Sequence, residues 1–463
     1  MSTSGDREAH NILQLLEQEG KAILQDPTGL LKSYVKEWQT DLIERVVPFW
    51  LNHSLDKKNG GYYTALDEDG SIYDTDKYLW LQGREVFTFS KLVNTFCEGG
   101  MPLKTINQWA QAAKIGAEAL DKALGNVPGV KDPRIYFSAT EDWKLLHYQR
   151  KPYATVFYSL GCLEYSSMIQ SVNKLQESGQ TETKETIKIV FGKEDAAVYA
   201  AKAKRSFQEF EEMIKDPTNS GRPAGPKVEG LSKLADVMCV VALACEFLQK
   251  SSSEEEKTLY KARIGKLLER AKTHFHPKYK ILLENSRSSG PSTATPDGRL
   301  FNPGHCIEVG WMLLEACKHV PNKEIETMAL IVIENSLEIG WDKQYGGLFY
   351  MMDIEGKPLL DSTVTAKGKL WWPHSEALIA VSMVLRVCTE EKRPKWLVWL
   401  AKLQKYCQLM FVDKKHGGWY GYRERDGTLH STVKGGNYKG FFHTPRALSL
   451  SAKAIKSFLD ASK

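Results

Sequence analysis

The stretch Asp56-Lys-Lys-Asn-Gly-Gly-Tyr-Tyr63 occurs in three related forms along the chain, and this repeat decides the fold. The other copies are Asp342-Lys-Gln-Tyr-Gly-Gly-Leu-Phe349 and Asp413-Lys-Lys-His-Gly-Gly-Trp-Tyr420. Nine residues after the second glycine of each copy comes another glycine, at Gly70, Gly356 and Gly427. Glycine turns between alternating aromatic residues, closed by an Asp/Glu-x-x-Gly turn, predict a β-hairpin at each copy.

Helical periodicity surrounds these turns and predicts twelve helices. The predicted segments are Tyr34–Leu51, Tyr78–Phe96, Ile106–Leu124, Tyr153–Gln170, Ala196–Ile214, Leu231–Leu248, Leu259–His274, Glu308–His319, Ile325–Ile339, Ser375–Cys388, Trp396–Met410 and Arg446–Leu459. Because helix–hairpin–helix units that repeat must share one apolar core, twelve helices in six pairs indicate an all-α fold. The expected architecture is an (α/α)6 barrel with short β-hairpins at one rim.

The first residues form a separate feature. A short amphipathic stretch from Ile12 to Leu24 ends at Asp26-Pro27, before the first periodic helix of the repeat. We therefore expect an N-terminal extension over residues 1–32 and the barrel over residues 33–463. Every motif that suggests chemistry follows residue 76, so the sequence predicts that a chain starting near Leu31 keeps its activity.

Composition and charge exclude several classes of protein. Hydrophobic residues make up 42% and charged residues 26%, and 62 basic residues mixed with 57 acidic residues give a net charge of +5. This balance predicts that the protein has no nucleic-acid partner. The sequence contains no apolar stretch long enough to predict a membrane span. The eight cysteines form no CxxC pair, and the N-terminus has no apolar signal segment, so we expect a cytoplasmic protein with reduced thiols.

Three predicted helix starts combine a proline with a histidine. They are Asn302-Pro-Gly-His-Cys-Ile-Glu308, Trp371-Trp-Pro-His-Ser-Glu376 and Phe442-His-Thr-Pro-Arg446. Proline is tolerated in a first helical turn, because a backbone N–H at that position would have no hydrogen-bond partner within the helix. The helix dipole is expected to lower the pKa of a histidine there, which would leave it neutral and able to accept a proton.

Other interpretations of these residues stay open. A histidine beside Trp and Pro is more often structural than catalytic. Glu85 with Glu308 or Glu376 would suit a glycosidase, which uses two carboxylates. The pair His274-x-His276 has no third ligand nearby, so no metal site is expected.

Four segments together resemble the N-acylglucosamine 2-epimerase (renin-binding protein) family. They are Tyr78-Leu-Trp-Leu-Gln-Gly-Arg84, Asn302 to Trp311, Trp371-Trp-Pro-His-Ser-Glu-Ala377 and Lys434 to Arg446. They occur in the family's order, and the similarity covers about residues 34–455. The family's (α/α)6 barrel agrees with the helix count from periodicity.

The resemblance implies interconversion of N-acetylglucosamine and N-acetylmannosamine by proton transfer at C2 of the ring-opened sugar. It implies that His305 and His443 are the acid–base pair. It also implies substrate-binding or supporting roles for Arg84, Glu308, Trp372, His374 and Arg446. In this scheme His374 helps to open the ring or binds O1, and Arg446 binds a sugar hydroxyl.

For cofactors and partners, the resemblance implies a homodimer and a small amino-sugar substrate, with no required cofactor. It leaves open whether ATP is an allosteric activator. Three rival functions remain: an aldose–ketose isomerase acting on mannose or a related sugar, a glycoside hydrolase on the same barrel, and a binding protein without turnover. In D2O an epimerase introduces deuterium at C2, whereas a glycoside hydrolase and a binding protein do not, so solvent exchange separates the epimerase from these two.

Overall fold

The computed structural model describes residues 4–125, 133–148, 152–177, 189–192, 194–215, 231–287, 289–291, 293–357 and 368–461. The helices of these residues are α1 Ser4–Gln25, α2 Pro27–Thr40, α3 Val47–His53, α4 Leu79–Phe96, α5 Leu103–Leu120, α6 Tyr153–Glu177, α7 Asp195–Lys215, α8 Leu234–Lys250, α9 Glu254–Lys272, α10 Pro303–His319, α11 Lys323–Gly340, α12 Trp371–Val384, α13 Arg393–Met410 and α14 His443–Ala461. A π-helical segment, Asp41–Val46, joins α2 to α3. Each of the twelve predicted helical segments coincides with a helix, the first of them with α2, the π-helical segment and α3 together.

The strands are short and pair in antiparallel fashion. They are β1 Ala65–Leu66, β2 Ile72–Asp74, β3 Lys77–Tyr78, β4 Leu124–Gly125, β5 Arg134–Ile135, β6 Ser138–Ala139, β7 Leu145–His147, β8 Leu231–Lys233, β9 Phe275–His276, β10 Ile281–Leu282, β11 Asn285–Arg287, β12 Leu300–Phe301, β13 Met352–Asp353, β14 Lys369–Leu370 and β15 Tyr422–Arg423. They form small two- or three-stranded sheets.

The chain divides into two compact units. The first unit comprises Met1–Val47, Val228–Thr432 and His443–Lys463, and the second comprises Pro48–Lys227 and Val433–Phe442. The boundary expected between residues 32 and 33 falls inside α2. None of the helices in the described ranges combines the length and apolar character needed to cross a membrane.

A buried ion pair fixes the glycine turn in two copies of the repeat. In the first unit, the Asp342 carboxylate accepts hydrogen bonds from the backbone of its own turn and from Lys369 Nζ at 3.0 Å. In the second unit, Asp56 does the same with Lys77 at 2.7 Å. All four side chains are at most 2% exposed. Because an unpaired buried charge is costly, each pair ties the lysine-bearing strand firmly to the turn.

The strand pairing extends beyond the three expected hairpins. In the first copy β1 pairs with β2 as predicted. In the third copy a bridge between Arg423 and Leu429 closes the predicted hairpin. In the second and third copies the strand leaving the turn also pairs with another strand, β13 with β12 and β15 with β14. The segments β12 and β14 come directly before α10 and α12, and their backbone groups need partners before the helical bonds begin. The second and third hairpins, residues 340–357 and 411–429, therefore fix where α10 and α12 start.

The predicted prolines occupy the first turns of the three helices. Pro303 is the first residue of α10, and the Asn302 side chain caps this helix by accepting a hydrogen bond from the backbone N–H of His305 at 3.0 Å. Pro373 and Pro445 are the third residues of α12 and α14. The side chains that follow these prolines therefore lie at helix N-termini that are held by a cap or by a preceding strand.

We predict that Gly347→Ala destabilises the protein much more than Gly356→Ala. Both glycines have positive φ, at 75° and 80°, which costs an L-residue about 1–2 kcal/mol. A Cβ on Gly347 would also lie 2.4 Å from the buried Tyr406 ring, whereas Gly356 has 3.8 Å to its nearest neighbour. Overpacking of this kind adds about 1–3 kcal/mol. Urea unfolding of both variants measures the difference, and equal losses would contradict the close packing at Tyr406.

Candidate active site

His305 is held by a carboxylate that the sequence analysis did not identify. It lies in the first turn of α10, with its side chain 27% exposed, and its Nδ1 is 2.9 Å from Oε1 of Glu284 between β10 and β11. Burial alone would lower the pKa of His305, but the charge and hydrogen bond of Glu284, helped by Glu308 and Glu376, raise it above its ordinary value. The expectation of a lowered pKa is therefore wrong for His305, because a nearby carboxylate outweighs the helix dipole.

His443 is held in the same way by Glu376. It is the first residue of α14, and its Nδ1 lies 2.7 Å from Oε1 of Glu376 on α12. The other oxygen of Glu376 accepts a hydrogen bond from Trp311 Nε1 at 3.0 Å. Since Glu376 is fully buried, it fixes the orientation of the His443 ring rather than contacting solvent.

Arg446 forms ion pairs with two carboxylates near His443. Its Nη2 donates to Glu376 Oε1 at 2.7 Å and to Glu308 Oε1, and it lies 3.4 Å from Nδ1 of His443. Its side chain is only 13% exposed. These contacts all use Nη2, and a contact of Arg446 with a sugar hydroxyl stays a prediction. Glu308 supports His443 through Arg446.

The same cluster has the composition of a metal site but already contains a cation. Oxygens of Glu308 and Glu376 and a nitrogen of His443 lie within 4.8 Å of one another. The Arg446 guanidinium lies within hydrogen-bonding distance of both carboxylates and offsets one of their two negative charges. Neither carboxylate is placed like a glycosidase acid, since both are ion-paired to the same nitrogen.

The Trp372 ring lies close to both histidines. Its ring centroid is 5.0 Å from that of His305 and 5.9 Å from that of His443, with interplanar angles of 36° and 40°. Gly304 makes room for it, because a Cβ there would lie 2.7 Å from the Trp372 ring. The half-buried indole is thus next to both side chains that are expected to transfer protons.

His374 does not have the position expected of it. Its ring is fully buried and stacks on Tyr406 at 4.9 Å. Its Nδ1 lies 2.6 Å from the carbonyl oxygen of Leu370, and its Nε2 accepts the backbone N–H of Leu348 at 2.8 Å. Burial lowers the pKa of His374 to about 3. Both ring nitrogens are therefore used by the backbone, and a neutral His374 joins the second hairpin to α12 rather than binding O1.

Arg84 belongs to the second unit and is described within it. It lies on α4, is 9% exposed, and places its guanidinium carbon 4.0 Å from the centroid of Phe157, 4.8 Å from Trp80 and 5.0 Å from Phe442. The next residue, Glu85, is fully buried, and this burial raises the pKa of its carboxyl well above the ordinary value. Arg84 thus has the stacked surroundings that a planar guanidinium favours.

Sequence reasoning missed Glu284 entirely and gave Glu376 only a glycosidase role. Glu284 lies between β10 and β11 with no motif around it, and it is separated from His305 by 21 positions. Glu376 is in a quoted motif, but His443 is 67 positions away. The signal that could have found them is chemical, since a catalytic histidine commonly needs a carboxylate on its second nitrogen.

The chain is similar to known sugar epimerases in sequence. The sequence profile of the N-acylglucosamine 2-epimerase (GlcNAc 2-epimerase) family matches residues 61–215 and 241–447. The N-acylglucosamine 2-epimerase of Bos taurus is 31% identical over 423 residues, which cover 90% of this chain and 90% of that protein.

Solved structures show the same fold. Cellobiose 2-epimerase from Spirochaeta thermophila superposes with a TM-score of 0.70 at 18% identity, covering 94% of this chain and 99% of that one. A D-mannose isomerase superposes with a TM-score of 0.65 at 16% identity, covering 92% and 98%. These similarities confirm the predicted all-α barrel class with small antiparallel strand pairs. With a family profile matched over most of its length, the chain belongs to the N-acylglucosamine 2-epimerase family.

Proposed function

We propose that this epimerase interconverts N-acetylglucosamine and N-acetylmannosamine, with His305 and His443 as its acid–base pair. The observation that carries the proposal is the presence of two carboxylate-bound histidines next to the same indole ring, that of Trp372. The family membership and the bovine relative's name support the choice of an amino sugar.

Inversion at C2 requires two proton-transfer groups. Opening the sugar ring exposes the C1 aldehyde, which makes the C2 proton acidic because the resulting carbanion delocalises onto oxygen. A base on one face removes the proton, and an acid on the other face returns one to the planar enolate. Two histidines exchange these roles when the reaction reverses, provided that one starts protonated and the other neutral.

The two histidines have different electrostatic surroundings that suit these roles. Glu284 favours the charged form of His305, whose pKa is raised. The carboxylate that holds His443 also pairs with Arg446, a cation whose Nη2 lies 3.4 Å from Nδ1 of His443, and like charges repel. We therefore assign the resting proton to His305 and the resting base to His443, with Nε2 of each ring exchanging protons with C2. No redox cofactor or metal ion takes part in this scheme.

An aldose–ketose isomerase would use much the same histidines, with the proton passed between C2 and C1 of the sugar. The family membership favours epimerisation, and the product distinguishes the two reactions because an isomerase forms a ketose. Arg84 supplies a fixed cation in this proposal and stabilises the oxyanion that develops at O1.

We predict that His305→Asn and His443→Asn each lower kcat for epimerisation by about 100- to 10,000-fold, because amide groups cannot transfer the proton. In D2O each variant should still exchange the C2 proton of one epimer, a different epimer in each variant, because the remaining histidine serves one face. NMR of the C2 and anomeric protons measures both effects. The control is His430→Asn, because His430 is an exposed histidine. A ketose product, or epimerisation at the wild-type rate in either variant, would rule out the assigned pair.

We predict that Glu284→Gln shifts the basic limb of the kcat/KM profile to lower pH. Glu284 raises the pKa of His305, so its neutralisation makes His305 lose its proton at lower pH. Activity requires that His305 and His443 together hold one proton. The pH at which this proton is lost sets the basic limb of the profile. Glu315→Gln, in which the replaced carboxylate pairs with Lys318 on the same helix, is the control. An unmoved basic limb would show that His305 does not hold the resting proton.

We predict that Arg84→Lys lowers kcat/KM by about tenfold or more, since lysine lacks the planar fork and stacks poorly on the rings of Trp80 and Phe157. Arg205→Lys, at a mostly exposed side chain, is the matched control. Steady-state kinetics with both epimers provide the measurement. A lysine variant with most of the wild-type kcat/KM would remove Arg84 from the oxyanion role.

A further inference from the structure

The N-terminal helix α1 lies antiparallel to α13 in a regular register. Ile12 and Met410 both lie against Gly427, and Leu16 and Tyr406 both lie against Gly346. One turn further along α1, Gly20 packs against Val398 and Lys402. Their side chains lie 3.3 and 3.9 Å from the position that a Cβ on Gly20 would occupy. One face of α1 is a buried stripe formed by Ile12, Leu16, Gly20 and Ile23. The side chains of Ile12, Leu16 and Ile23 are 0–7% exposed.

Two residues of this stripe touch turns that the active site depends on. Ile12 reaches the tip of the third hairpin at Gly427, and Leu16 reaches the glycine turn of the second hairpin at Gly346. The strands of these hairpins, β13 and β15, pair with the residues immediately before α10 and α12. Helix α10 carries His305, and α12 carries Trp372 and Glu376.

A second contact path leads from Leu16 to α12 through side chains. Leu16 and Tyr406 both lie against Gly346, and Tyr406 stacks on His374 with an interplanar angle of 15°. His374 accepts the N–H of Leu348 in the hairpin and bonds the carbonyl oxygen of Leu370 before α12. The turn and the helix start are thus held by one buried imidazole that is packed against the α1–α13 contact.

We propose that α1 is a positioning element of the active site, in which Ile12 and Leu16 hold the two hairpins that set the starts of α10 and α12. The proposal rests on the proposed function of the two histidines. It replaces the expectation from sequence that residues before Leu31 are dispensable for activity. Proton transfer at C2 is sensitive to the histidine positions, because a displacement of about 1 Å can cost about 100-fold in rate.

The test compares truncations at two ends of the same buried stripe in the full-length chain. Leu16→Ala removes the contact with the second hairpin, and Ile23→Ala removes a buried side chain of equal size two turns away, near the other end of α13. Leu16→Met keeps the side-chain volume and is the rescue variant. If Leu16→Ala does not fold, Leu16→Val is measured by the same criteria.

We expect Leu16→Ala to lower kcat about tenfold with a smaller change in KM, at a temperature where all variants are folded. Amide exchange should accelerate in peptides that contain Leu348 and residues 369–376. Ile23→Ala should lose a similar amount of melting temperature but keep the wild-type kcat and exchange rates, and Leu16→Met should keep both. Wild-type kcat and exchange in Leu16→Ala, or equal losses in Ile23→Ala, would overturn the proposal.

The exchange measurement separates this proposal from the proposed function. If the wild type fails to epimerise the amino sugar, the function is wrong, yet faster exchange at residues 369–376 in Leu16→Ala alone still supports α1 as the support of α12. If the wild type is active and exchange responds equally to both truncations, the function stands and the positioning role fails.

Discussion

The carboxylate of Glu376 is the interaction on which the arrangement of the first unit's site depends. It is fully buried, and it joins three helices by accepting bonds from Trp311 on α10 and from His443 and Arg446 on α14. A buried charge of this kind is stable only when it is paired and fully hydrogen-bonded, and removal of one partner of such a pair costs about 3–5 kcal/mol. The orientation of the His443 ring, the position of Arg446 and the packing of α12 between its neighbours are therefore one linked arrangement.

The repeat supplies the frame around this carboxylate. Each glycine turn is closed by an aspartate, and in two copies a buried lysine ties the turn to the strand before the next helix. Strand pairing then fixes where α10 and α12 begin, which places His305 and Trp372 in first helical turns. Short two-residue ladders contribute little stability alone, so the buried ion pairs and the helix α1 contacts give them their rigidity.

Histidines in similar motifs have different roles because their surroundings differ. His305 and His374 both follow a proline closely in a helix start, so the motif alone does not distinguish them. In the structure His305 faces a carboxylate and is partly exposed, whereas His374 is enclosed by Tyr406 and by two backbone groups. The carboxylate raises the pKa of one ring, and burial lowers the pKa of the other. Position in a motif therefore does not decide whether a histidine transfers protons.

The sequence by itself determined the repeat, the helices and the family. These depend on local patterns, namely glycines with positive φ, apolar periodicity and prolines in first turns, all of which are visible within a few residues. Only the tertiary structure decided which strands pair, that Glu284 and Glu376 hold the histidines, that His374 supports the backbone, and that α1 packs on the hairpins. These pairings join residues far apart in the chain. A single sequence does not show which charged or apolar side chains become partners. Their selection depends on burial, which requires each enclosed polar group to find a partner and exists only once the helices have packed.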